Sequence, residues 1–165
     1  MNATVRLAVR EDLAAMLAIY NHEVENGTAT FDIHPQSLQE RMAWFEAHDE
    51  EAHPILVALE DGEVVGYASL SAYRSKEAYA GTAELSVYVA PGARGRGVGS
   101  GLTQAVLDFA REKKRIHCVV SVITSTNAAS AAMHARFGFT YCGRTPEVGL
   151  KFGRYLSTDT YALIL

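Results

Sequence analysis

Val87-Tyr88-Val89-Ala90-Pro91-Gly92-Ala93-Arg94-Gly95-Arg96-Gly97-Val98-Gly99-Ser100-Gly101 is the stretch on which the reading of this chain turns. An aromatic and β-branched run ends at a proline, a glycine cluster follows, and the apolar period then becomes helical through Val98, Leu102, Ala105, Val106 and Phe109. Strand, glycine turn and helix together are how a backbone builds an anion site. Glycine tolerates φ > 0 and lets a ligand approach the main chain. The first turn of the helix offers N–H groups without partners, and the helix dipole favours negative charge there. Arg94 and Arg96 add guanidinium groups able to fork onto phosphate oxygens. The stretch lacks the Gly-Lys-Ser/Thr of a P-loop, and a dinucleotide fingerprint begun at Gly95 needs glycine where Ser100 stands. A diphosphate held with neither motif fits coenzyme A.

Upstream, Thr82 to Val89 alternates as a strand, with Ala83, Leu85, Val87 and Val89 on one face and Glu84, Ser86 and Tyr88 on the other. Pro54 to Leu59 and Glu63 to Leu70 flank Asp61-Gly62, a strong hairpin signal. Val5 to Val9 alternates as a further strand. Leu13, Met16, Leu17 and Tyr20 form a helical stripe that Gly27 is placed to stop. Ser37 and Glu40 have capping-box spacing ahead of a second helix, with Leu38, Met42 and Phe45 on one face. Downstream, Lys113-Lys114-Arg115 puts positive charge at a helix C-terminus, where the dipole favours it. Val119 to Ile123 reads as a buried strand, Asn127 to Phe137 as a short helix stopped by Gly138, and Phe139 to Gly143 and Thr160 to Ile164 as closing strands. The order β-α-α-β-β-β-α-β-α-β-β predicts a mixed α/β domain around one central sheet.

The chain has 165 residues, which predicts a single domain over 1–165. A net charge of −4 argues against nucleic acid as the main partner. Cys118 and Cys142 belong to no Cys-x-x-Cys pair and have no histidine at metal spacing, so free thiols and no metal are expected. The segment Met1 to Arg6 lacks the basic-then-apolar order of a signal peptide, and no apolar run approaches the ~18 residues of a membrane span. A cytoplasmic protein without membrane attachment is expected.

Arg94-Gly95-Arg96-Gly97-Val98-Gly99 resembles the R/Q-x-x-G-x-G/A motif of the GNAT family of N-acetyltransferases. Tyr20-Asn21-His22, Trp44-Phe45-Glu46, Gly66-Tyr67-Ala68-Ser69, Glu84-Leu85-Ser86-Val87-Tyr88-Val89 and Leu150-Lys151-Phe152-Gly153-Arg154 resemble its phosphinothricin and methionine sulfoximine acetyltransferase branch. The resemblance spans essentially the whole chain. It implies a GNAT fold, in which a mixed, mostly antiparallel twisted sheet is flanked by helices on both faces, and it implies acetyl-CoA as co-substrate. Val87, Tyr88 and Val89 would present backbone groups to the pantetheine arm and acetyl group. Arg94, Gly95, Arg96, Gly97, Val98, Gly99 and Ser100 would hold the pyrophosphate. Asn127 would either hydrogen-bond the cofactor or simply cap its helix.

Acetyl transfer to an amine requires a base for the amine proton, a polarised carbonyl and a leaving thiolate. Glu84, on the polar face of its strand, is the candidate base, either directly or through water. His134, four residues before Gly138, is the candidate acid, at a position where many relatives carry tyrosine. Arg74, Glu77, Ala78 and Tyr79 between two strands, Phe31 between the first two helices, and Lys151 near the C-terminus are the candidate acceptor contacts. The expected acceptor is a small amino-acid-like amine of phosphinothricin, methionine sulfoximine or methionine sulfone type, attacked directly in a ternary complex by a homodimeric enzyme. The alternatives are another amine (a polyamine, an aminoglycoside or a protein N-terminus) and an acyl-CoA-binding module without turnover.

Overall fold

The computed structural model describes residues 3–165. Its elements run β1 (Thr4–Leu7), α1 (Leu13–Asn26), α2 (Leu38–Glu46), β2 (Ile55–Glu60), β3 (Glu63–Ala72), β4 (Thr82–Val89), α3 (Val98–Lys113), β5 (Cys118–Thr124), α4 (Ala128–Arg136), β6 (Thr140–Lys151) and β7 (Arg154–Ile164). This is the expected order. The strands form one sheet, β1-β2-β3-β4-β5-β7-β6. Every pairing is antiparallel except β4 with β5.

Alternation along the strands builds two cores. Leu56, Ala58, Ala68, Leu70 and Leu85 face Leu102, Val106 and Leu107 of α3. Ile55, Val57 and Tyr67 turn the other way, onto Leu13, Met16 and Ile19 of α1. Helices therefore cover both sheet faces, as expected. Gly66 lets α3 lie close to the sheet: a Cβ there would stand 2.9 Å from the Tyr88 carbonyl oxygen and 3.2 Å from Leu102.

The local signals hold where chemistry specifies them. The Ser37 hydroxyl accepts the Glu40 N–H at 3.2 Å, and the Glu40 carboxylate accepts the Ser37 N–H at 2.7 Å. Asp61 and Gly62 both have positive φ, as the two-residue hairpin turn requires. The face expected on α2 is only partly buried. Leu38 is exposed, while Arg41 is the buried residue, its guanidinium 3.6 Å above the Trp44 ring.

The closing hairpin is far longer than expected. Strands predicted to span 139–143 and 160–164 run over Thr140–Lys151 and Arg154–Ile164. The register shifts between Thr145 and Gly149, so the strict alternation that identifies a strand is broken there. The hairpin closes at Phe152-Gly153, both left-handed. No helix among the described residues is long and apolar enough to cross a membrane.

Candidate active site

The site is made by a parting of strands. β4 and β5 pair only at Thr82/Cys118, Ala83/Val119 and Glu84/Val120. Past Glu84 they diverge, and the gap opens into a cleft of about 910 Å³ walled by Leu85–Val89, Val122–Thr124, the start of α3 and one face of α4. The Ala90 N–H bonds to the Val65 carbonyl, so by alternation Val87 and Val89 turn their peptide groups to the opposite, open edge. The Val89 carbonyl there accepts from Arg94 Nε at 3.1 Å.

At one end of the cleft lies the glycine turn. Gly95 (φ +74°) and Gly97 (φ +85°) are left-handed, and Gly97 caps α3. The Gly101 N–H makes a helical bond back to Gly97, so the N–H groups of Val98, Gly99 and Ser100 are first-turn donors. Gly95, Gly97, Val98, Gly99 and Ser100 all line the cleft.

The two arginines divide. Arg94 lines the cleft, but its Nη2 is 2.9 Å from Glu23 Oε2, so a buried carboxylate holds it across the opening. Arg96 points away and pairs with Glu60 at 2.8 Å, outside the cleft lining. The expected fork from Arg96 onto phosphate is therefore not preformed: the residue, between two left-handed glycines, is carried to the outer side of the turn. Arg136, which sequence reasoning missed, lines the cleft at the helix entrance instead. Its Nη2 donates to Ser100 Oγ at 3.1 Å beside the helix entrance. Nothing local marks Arg136, because its position follows from α4 lying against α3.

Glu84 lines the cleft where β4 loses its partner, and its carboxylate makes no hydrogen bond or ion pair among the described residues. Burial raises its pKa above the ordinary carboxylate value. Asn127 lines the cleft and caps α4, its Oδ1 accepting the Ser130 N–H at 3.1 Å. The cap uses only the oxygen, which leaves the amide N–H groups available to a ligand.

His134 also lines the cleft, yet it is 3% exposed and its ring packs against Phe139 and Tyr161. Its Nδ1 is 2.8 Å from the Ser130 carbonyl. A carbonyl only accepts, so Nδ1 carries the proton and Nε2 holds a bare lone pair with no partner among the described residues. Burial lowers its pKa, which favours this neutral form. In this neutral form Nε2 has no proton to give, so the expected acid role would require His134 to be protonated first.

The acceptor candidates are scattered. Phe31 lines the cleft. Lys151 does not: its ammonium is buried and donates to the Thr30 carbonyl at 2.8 Å, strapping the closing hairpin to the Phe31 wall. In this position Lys151 is a strut, away from the cleft where contact with the acceptor was expected. Arg74 and Tyr79 line a separate depression of about 320 Å³, with the Arg74 guanidinium 5.4 Å from the Tyr79 ring, and Glu77 and Ala78 form an exposed turn beside it. These four residues lie outside the cleft lining, although their loop leads straight into β4 two residues before Glu84. Sequence reasoning also missed Glu23, which anchors Arg94 and the Ala29 N–H.

A model of the acetyltransferase (GNAT) family matches residues 16–139. The chain belongs to the GNAT acetyltransferase family. It is 46% identical to the L-methionine sulfoximine/L-methionine sulfone acetyltransferase of Pseudomonas paraeruginosa over 157 residues, 94% of this chain and 91% of that one. It is 44% identical to the phosphinothricin N-acetyltransferase of Streptomyces coelicolor, over 95% and 93% of the two chains. A phosphinothricin acetyltransferase of Sinorhizobium meliloti, solved in complex with acetyl-CoA, superposes with a TM-score of 0.92 at 34% identity, over 100% of this chain and 89% of that one. This GNAT chain is an N-acetyltransferase that uses acetyl-CoA as co-substrate, and the cleft suits that molecule. The first-turn donors of α3 suit a diphosphate, and the free edge of β4 suits an amide-bearing arm. Gly97→Val forces a branched side chain into a left-handed cap at a cost of about 1–3 kcal/mol. It is expected to weaken CoA binding about tenfold or more in titration calorimetry; unchanged affinity in the folded variant would remove the turn from the site.

Proposed function

We propose that this enzyme acetylates the α-amino group of a small amino-acid-like acceptor of phosphinothricin, methionine sulfoximine or methionine sulfone type, by direct attack in a ternary complex. The observation that carries the chemistry is Glu84, an unpartnered carboxylate with a raised pKa at the point where β4 loses its neighbour. The relatives named above carry the acceptor class.

The residues divide the work as follows. Glu84 takes a proton from the acceptor ammonium, directly or through one water, and so frees the nitrogen lone pair. The open edge of β4 at Val87 and Val89 lines up the arm that delivers the acetyl group, and the Val89 N–H polarises the carbonyl under attack. Neither thiol lines the cleft, so the acetyl group passes to nitrogen without a stop on cysteine: the C–N bond forms as the thioester C–S bond breaks, and CoA leaves as the thiolate. Phe31 walls the acceptor side. The Arg74 loop, outside the cleft lining as it stands, leads into the same end of β4, and its guanidinium would take the acceptor's carboxylate if the loop turned toward the cleft.

The outer face of the closing hairpin carries Val148, Leu150, Phe152 and Tyr155, all exposed and apolar. That patch suits a homodimer interface. The two free thiols suit the reducing cytoplasm.

An acceptor panel read by thiol release tests the reading. Turnover is expected with amino-acid sulfones and sulfoximines; turnover confined to polyamines, aminoglycosides or protein N-termini would move the acceptor class, and none at all, with tight CoA binding, would leave a binding module. Glu84→Gln should lower kcat by about 10²–10⁴-fold. Glu84 acts only when ionised and its pKa is raised, so kcat/KM for the acceptor should fall as pH drops through that raised value, and the Gln variant should lose this limb. A retained limb would place the base elsewhere. Leu150→Asp should halve the mass seen in sedimentation equilibrium; a chain already monomeric at working concentration would contradict the dimer.

A further inference from the structure

A second polar group stands beside Glu84 on the same sheet face. Ser71 is the direct cross-strand partner of Glu84 in the β3–β4 register, followed by Ser69 with Ser86 and Tyr67 with Tyr88. Directly opposed side chains leave an antiparallel pair on one face with Cβ atoms roughly 5 Å apart. Both Ser71 and Glu84 are half-buried; Glu84 lines the cleft, and Ser71 stands beside it just outside that lining. α2 runs over this face, with the Trp44 ring 6.1 Å from that of Tyr67, and the residues just past its end reach Ser71. There His48 Nε2 stands 2.9 Å from Ser71 Oγ, and His48 Nδ1 stands 2.7 Å from the Trp44 carbonyl oxygen.

The chemistry of these two contacts fixes the direction of both hydrogen bonds. The Trp44 carbonyl can only accept, so Nδ1 carries the ring proton of neutral His48. Nε2 then presents a lone pair, and the Ser71 hydroxyl must be the donor to it. A serine has one hydroxyl proton; with that proton pointed at His48, Oγ faces everything else as an acceptor. Helix geometry explains why the Trp44 carbonyl is available. α2 stops at Glu46, the Ala47 N–H bonds to Ala43 and the His48 N–H to Phe45, and Trp44 is left among the end carbonyls that need a side-chain partner. Burial keeps His48 neutral by lowering its pKa, and the nearby Arg41 and His53 act in the same direction against Asp49 and the Trp44 carbonyl.

We propose that Ser71 binds the acceptor amine, taking one of its N–H groups beside Glu84, and that His48 is the positioning residue that keeps the Ser71 hydroxyl turned as an acceptor. The proposal rests on the reading of Glu84 as the base. An ammonium brings three N–H groups to a half-buried site and needs acceptors for them. Glu84 takes one and later removes its proton; Ser71 takes another and keeps it, which fixes the direction of the lone pair that is released. Only protons move, from nitrogen to the Glu84 carboxylate, and the Ser71–His48 hydrogen bond is unchanged through the step. If His48 gains a proton at Nε2, that nitrogen becomes a donor. The Ser71 proton must then turn toward Glu84 and the ammonium, where it opposes binding.

The test is a double-mutant cycle in the full chain, with the acceptor that the panel identifies. Ser71→Ala and His48→Ala should each raise the acceptor KM about tenfold, the loss of one hydrogen bond to a charged group, and leave the acetyl-CoA KM within about twofold. Because His48 acts through Ser71, the double variant should be no worse than Ser71→Ala alone. Thermal unfolding and CoA affinity report whether each variant folds, and Ser71→Gly is a second way to remove the hydroxyl. An unchanged acceptor KM in folded Ser71→Ala would overturn the proposal. Penalties that multiply in the double variant would overturn the role of His48. A Glu84→Gln enzyme with full kcat would instead overturn the base, and it would do so without touching the KM split.

Discussion

Two neighbouring strands that begin as a parallel pair and then separate account for most of what this molecule can do. A sheet ordinarily satisfies its peptide groups by pairing, and leaving them unmatched inside a protein is costly. Here β4 pairs with β5 over Thr82, Ala83 and Glu84 only. Beyond that point the edge of β4 has no strand beside it, and a bound molecule with its own amides can take the role of the missing neighbour. Glu84, the proposed base, lies at the last paired residue, and the first turn of α3 lies at the far end of the same edge. Under the proposed function, one geometric event would set the arm, the reacting carbon and the diphosphate in sequence along a single strand.

The surrounding structure holds that gap open. α3 is fixed against the sheet through Leu102, Val106 and Leu107, which sets the position of its first turn. Glu23 reaches from α1 to Arg94 and also binds the Ala29 N–H, so the glycine turn and the wall near Phe31 are tied to one buried carboxylate. Thr124, at the end of β5, donates its hydroxyl to the Thr28 carbonyl, and Lys151 ties the closing hairpin to Thr30. The 28–31 segment is thus anchored from α1, β5 and the hairpin. An ion pair as exposed as that of Arg94 contributes little stability by itself, about 1 kcal/mol or less; its role is placement.

Much of this was legible in the sequence, for identifiable reasons. The strand from Thr82 to Val89 and the helix from Val98 to Lys113 emerge with their boundaries because period, proline and glycine agree there. Asp61-Gly62 and Ser37 with Glu40 are stereochemical requirements, and the chain obeys them. The closing hairpin was only half legible, since its bulges near Thr145 and Gly149 interrupt the alternation by which a strand is recognised. Site residues followed the same division. Glu84 and the glycines are placed by local pattern. Arg136, Glu23, Lys151 and the direction of Arg96 depend on which elements pack together, information that no short window contains. The protonation of His134 lay further out of reach, because it is set by the Ser130 carbonyl one turn earlier in its own helix.

A bound cofactor is expected to complete the unpaired edge of β4 and the first turn of α3. Amide hydrogen exchange with and without CoA, resolved by residue, tests it most directly. Slowed exchange concentrated at Val87, Val89 and Val98 to Ser100 is the predicted result. Binding by calorimetry that leaves those amides exchanging at their unliganded rates would contradict it.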